Sequence, residues 1–239
     1  MAHGFNLACG LALGLALVAC GSSTPEATEP TSDTASDGGG RGSSGLGIEA
    51  EIGALNERDV MRAFNGSVDG MMKCFQRGID RTPFLGGVVR IAVRVPAEGK
   101  VRAYMKSSTL GDRETEACML GVVQNRDWPA PVGGKEGLAE NEFTFDPQEG
   151  TREPVAWSSG DAGKNVDKAI DTLRGCRHTA KSGRLSATLY VETDGSVKSV
   201  GVSGEDANVE QAADCVVRAM KDMKFNSPGS FAAKLTLSE

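Results

Sequence analysis

Val88–Val95 reads Val-Val-Arg-Ile-Ala-Val-Arg-Val, and Leu185–Val191 reads Leu-Ser-Ala-Thr-Leu-Tyr-Val. Alternate residues are apolar in both, the period of a strand with one face on a core. A shift of 96 positions lays Val89, Ile91, Val93 and Val95 on Leu185, Ala187, Leu189 and Val191. Outward from these strands the landmarks repeat as well. Cys118 and Cys215, Trp128 and Phe225, and Pro131 and Pro228 are each 97 apart. The chain is therefore a duplication, and each copy must bury its own apolar face.

Upstream of the first strand, Val60, Phe64, Val68, Met71, Met72, Phe75 and Ile79 fall at helical spacing, with Cys74 beside the stripe and ending the helix. Pro96–Gly99 turns the chain into a return strand, Val101–Lys106. Asp112 is placed to cap a second helix, with Glu114 and Glu116 near its positive end and Cys118, Val122 and Val123 on its inner side. A last strand ends in Phe143-Thr144-Phe145. The second copy follows the same course. Val166, Ala169, Ile170, Leu173 and Cys176 form its first stripe, Asp194-Gly195 its hairpin turn and Phe231–Leu237 its final strand. The expected class is α+β, two tandem αββαβ domains, each a small antiparallel sheet covered by two helices. The expected bounds are 48–147 and 164–239, joined by a Pro- and Gly-rich linker, 148–163.

Phe5–Ala19 is an apolar run of about 15 residues, short of the roughly 20 that cross a bilayer, and reads as the apolar part of a secretory signal. It ends Leu17-Val18-Ala19-Cys20-Gly21, which resembles the lipobox of bacterial lipoproteins. That resemblance implies removal of 1–19 and acylation of Cys20, anchoring the protein through lipid at the periplasmic face of the outer membrane. Residues 20–47, almost all Ser, Thr, Pro, Glu, Asp and Gly, cannot bury enough apolar surface to fold and are expected to form a tether.

Six cysteines fit that compartment. Cys9 leaves with the signal and Cys20 takes the lipid. The other four divide into one pair per repeat, so Cys74–Cys118 and Cys176–Cys215 are expected as disulfides. Closing loops of about 40 residues would contribute about 4 kcal/mol each in the chain-entropy model.

The ordered set of helix ending in cysteine, strand, Gly turn, Ser107-Ser108, helical cysteine, Trp128-Pro129-Ala130-Pro131, Gly133-Gly134 and Phe143-Thr144-Phe145 resembles the TonB C-terminal-like domain. It is most similar to the cysteine-paired, myxobacterial AgmX/PglI C-terminal type. The second copy is a degenerate version, with Phe225-Asn226 where the first has Trp128-Pro129. The resemblance implies a periplasmic, non-enzymatic module whose partners are other envelope proteins, bound as an added strand on a sheet edge. The last strand of each repeat, Glu142–Phe145 and Lys234–Leu237, is the expected edge. A proton-motive-force transducer is not expected, since its long Pro-rich spacer has no counterpart here.

No residue pattern marks a catalytic centre, a metal site or a cofactor site. The rival function is a thiol–disulfide oxidoreductase, but partners 44 and 39 residues apart lack the close spacing of a reactive pair. A small-ligand pocket between the repeats is a third possibility, though no substrate is evident. The formal net charge of −6 argues against nucleic acid. If Val89, Ile91, Val93 and Val95 point inward, Arg90 and Arg94 share the outer face with Arg102, a basic surface for an acidic partner or lipid headgroups. Ser186 and Tyr190 stand at the matching positions of the second copy.

Overall fold

The computed structural model describes residues Ala50–Glu239; the expected signal, Cys20 and the tether lie outside the described residues. The chain from Gly47 to Glu239 forms one unit by its contacts. The first repeat runs β1 (Ala50–Gly53), α1 (Glu57–Arg81), β2 (Gly87–Pro96), β3 (Arg102–Ser108), α2 (Arg113–Gln124) and β4 (Gly134–Phe145). The second runs β5 (Val155–Trp157), α3 (Ser159–Ala162), α4 (Asn165–Ala180), β6 (Leu185–Val191), β7 (Val197–Gly204), α5 (Val209–Lys221) and β8 (Ala233–Ser238). The class is α+β, with sheet orders β1-β4-β2-β3 and β5-β8-β6-β7.

Each repeat has one strand more than the expected αββαβ. β1 lies parallel to the start of β4, and β5 parallel to β8 over Ala233–Leu235, so both sheets are mixed rather than wholly antiparallel. β5 and α3 fall inside the stretch expected to be linker, 148–163. Three residues amid Pro154, Gly160 and Gly163 are too few to show a period of two.

Inside each repeat the physics is as the alternation requires. Val89, Ile91, Val93 and Val95 are buried under α1, with Phe64, Met71, Phe75 and Met119 in the same core. α1 starts at Asn56, whose side chain accepts from the Asp59 N–H at 3.1 Å, and stops at Thr82 ahead of Pro83. It therefore continues past Cys74, which was expected to end it, through another two turns. Asp112 sits at the start of α2 but makes no side-chain cap bond; its carboxylate instead takes Arg81 at 2.7 Å and the Thr115 hydroxyl at 2.6 Å. At the second hairpin Gly195 has φ 86°, and a Cβ there would lie 2.3 Å from the Phe225 carbonyl, so the turn accepts only glycine. The disulfides Cys74–Cys118 and Cys176–Cys215 tie α1 to α2 and α4 to α5, each with Cα atoms 5.8 Å apart.

The two repeats pack along β3 and β7, which approach each other without joining into one sheet. The packing is reciprocal. Ala92 and Tyr104, on the outer face of the first sheet, enter the core of the second repeat. Tyr190, on the outer face of the second sheet, enters the core of the first. Its hydroxyl donates to the Gly86 carbonyl at 3.1 Å and accepts from the Gly86 N–H at 3.3 Å, which satisfies the polar tip of a buried tyrosine.

Candidate functional site: the sheet edges

The expected basic face is built as drawn but is neutralised. Arg90 and Arg94 do point away from α1 and α2, and β4 places an acid opposite Arg90 and one diagonal to Arg94. Arg90 pairs with Glu142 at 3.0 Å and Arg94 with Glu136. Arg102 reaches Glu136 at 4.0 Å, and Lys106 pairs with Glu140 at 3.1 Å. The cross-strand register makes this unavoidable, since Arg90 lies opposite Glu142 and Ala92 opposite Glu140. Phe143 and Phe145 point the other way. Phe145 is buried against Phe75 at 5.0 Å between ring centres, and Phe143 lies 6.0 Å from Phe64. They hold α1 to the sheet, Phe145 buried and Phe143 half-buried.

Nor are β4 and β8 edge strands along their whole length; each stands second in its sheet. β1 covers β4 only as far as Gly137. The Ala97 N–H donates to the Lys135 carbonyl at 2.8 Å, so odd-numbered residues of β4 turn their backbone groups toward β2 and even-numbered ones turn theirs away. Beyond β1, whose Gly53–Gly137 pairing takes up the Leu138 N–H, the N–H and C=O of Glu140, Glu142 and Thr144 have no backbone partner among the described residues. In the second repeat β5 covers β8 through Leu235, and the bond from the Glu239 N–H to the Leu185 carbonyl sets the same parity. The Trp157–Leu235 pairing takes up the Thr236 N–H, so Ser238 alone keeps both backbone groups open there among the described residues.

The edges at the seam are closed by side chains. On β3 the Ala103 N–H donates to Gln124 Oε1 at 3.3 Å and the Met105 N–H to Glu210 Oε1 at 3.1 Å. On β7 the Val202 N–H, 97 positions after Met105, donates to Glu116 Oε2 at 2.9 Å. Glu210 belongs to α5 and Glu116 to α2, so each repeat caps the other's edge. Glu210 is held by Arg113 at 2.8 Å. Glu116 is fully buried and accepts from the Ser108 hydroxyl at 2.6 Å. Burial raises its carboxyl to about 7, against the opposing pull of those hydrogen bonds and of Arg113. A Cβ on Gly201 would come 2.3 Å from Glu116 Oε1, so this glycine makes room for the carboxylate.

No family model, curated protein or solved structure matches the chain.

Among the described residues no helix is long and apolar enough to cross a membrane, and no three His, Cys, Asp or Glu side chains converge as for a metal ion. Cys74 and Cys176 are buried, and an Arg77 guanidinium nitrogen lies 2.7 Å from Cys118 Sγ. His178 is exposed in the last turn of α4. The residues missed from sequence are those of the seam: Glu116, Gly201, Glu210 and Tyr190. Ala92 between two arginines and Tyr190 on an outward position were the available signals, since both break the polar pattern of a solvated face.

Proposed function

We propose that the protein is a lipid-anchored, non-enzymatic interaction module of the cell envelope, of TonB C-terminal-like type, that receives an extended segment of a partner protein on the open edge of β4. The supporting observation is the contrast between edges. Where backbone groups are enclosed, side chains satisfy each N–H described above; along Glu140–Thr144 three alternate residues keep theirs unpaired. An added strand would form main-chain hydrogen bonds there, and the residues flanking it would select its side chains. Glu140 and Glu142 also guard the edge against casual pairing. Cys20 acylation would hold the module at the membrane.

A photo-crosslinking amino acid at Thr144, in the full chain in native membranes, tests the edge. A covalent product that disappears with Glu142→Pro, which removes an outward N–H and leaves the β2 ladder intact, supports strand addition. A product unchanged by Glu142→Pro contradicts it. Cys20→Ser should release the chain from membranes and abolish incorporation of a labelled fatty acid; retention with label would contradict the anchor.

A further inference from the structure

At the end of the seam a cleft of about 520 Å³ opens between the loop before β2 and the outer face of β8. Phe84 and Trp157 supply aromatic wall above the buried Tyr190, and Lys234 supplies the one cation among its lining residues. Lys234 lies opposite Tyr190 in the β6–β8 register, the place that Leu138 takes opposite Arg94 in the first repeat. Its ammonium donates to the Gly86 carbonyl at 2.6 Å and sits 5.5 Å from the centre of the Tyr190 ring. It forms no ion pair among the described residues, and burial lowers its pKa. An ammonium has three donors, so two are left over. Asp146 and Glu153 stand exposed among the lining residues.

The counterpart in the first repeat is different. There Arg94 and Arg102 meet the loop Asp206–Asn208 across about 260 Å³, and Arg94 is already paired with Glu136. One side of the duplicated body is smaller, without an aromatic wall, and has its arginines facing acids. The other keeps a partly desolvated cation, aromatic surface and space.

We propose that this cleft binds a small monocarboxylate with a flat apolar body, the carboxylate on Lys234 and the body against Phe84 and Trp157. Charge-assisted hydrogen bonds supply the head-group preference, and the apolar wall supplies the rest. Asp146 and Glu153 oppose a second negative charge. The site is independent of the open edge of β4, and its failure would leave the strand-addition reading intact.

Calorimetric titration of the full chain with 2-naphthoate, 2-naphthamide and naphthalene-2,6-dicarboxylate tests it. Naphthoate should bind about ten-fold or more tightly than either of the others. Lys234→Met should remove that advantage while leaving the weak binding of naphthamide unchanged, and Lys234→Arg should retain most of it. Trp157→Ala should weaken naphthoate and naphthamide alike. Equal binding of acid and amide, binding of naphthoate undiminished in Lys234→Met, or no binding of naphthoate at millimolar concentration would each overturn the proposal. Thermal melting of each variant separates loss of the site from loss of the fold.

Discussion

Each repeat turns one sheet edge toward its twin and the other toward solvent, and the chain treats them in opposite ways. At the seam, Gln124, Glu210 and Glu116 reach over β3 and β7 to accept from backbone N–H groups. Outside, β1 and β5 cover only the starts of β4 and β8 and leave the rest open. The difference follows from water. An enclosed N–H without an acceptor costs about 1–3 kcal/mol, so packing two edges together requires a cap for each. An edge facing solvent incurs no such cost and stays available. The repeats differ from each other in the same respect, with three fully open residues on β4 and one on β8 among the described residues.

What is common to both repeats should matter equally to both. Replacing Cys74 and Cys118 by Ala, or Cys176 and Cys215 by Ala, removes loops of 44 and 39 residues, and chemical denaturation should show a loss of about 4 kcal/mol in either case. A large inequality would mean that the repeats are not stabilised alike. Next in size is Gly201→Val, whose Cβ meets Glu116 Oε1 and the Gly111 Cα. It should cost about 3 kcal/mol or more by overpacking the seam, whereas Glu142→Val on the open edge should stay within about 0.5 kcal/mol. Similar costs at the two positions would break the distinction between sealed and open edges.

The third test sharpens the comparison through pH. Glu116 is raised from 4.5 to about 7, so the folded state holds its proton more tightly than the unfolded chain does. Its contribution is fully present below about pH 4.5 and is lost as pH rises through about 7. Melting temperatures of the native chain and Glu116→Gln, compared across that window, should show the Gln variant free of this decline; parallel curves would contradict it. Asp161, Asp194 and Glu205 are shifted downward by hydrogen bonds, led by those from Ser158, Ser196 and Arg184. Their effects run the other way and act at lower pH, which is why the difference between the two proteins is the quantity to measure. Smallest is Arg90→Ala. The Arg90–Glu142 pair is about half exposed on each side, and its loss should change stability by no more than about 1 kcal/mol.

Much of the fold is legible in the sequence because β2 and β6 bury one face on helices of their own repeat, and local alternation records that. The turn at Gly195 and both cysteine pairs are legible for the same reason. β1 and β5 are not, since four and three residues gain order only by lying beside β4 and β8. The function of Glu116 was hidden as well. An acid in the first turn of a helix is what the helix dipole favours, and nothing local says that β7 of the other repeat lies across it. Ala92 shows the limit most clearly: it belongs to the outer face by parity and to the second repeat's core by packing. On the candidate site, sequence pointed to the end of β4 and, for recognition, to Phe143, Phe145 and the arginines, side chains that pack toward α1 or are ion-paired. The backbone of the even-numbered residues between them is what the fold leaves open.

Residue-resolved amide hydrogen exchange on the isolated chain tests the difference between edges most directly. Glu140, Glu142 and Thr144 should exchange rapidly while the alternating Ala139, Asn141 and Phe143, and the capped Met105 and Val202, exchange slowly. Protection of those three amides equal to that of Met105 and Val202 would mean that β4 has no open edge to offer.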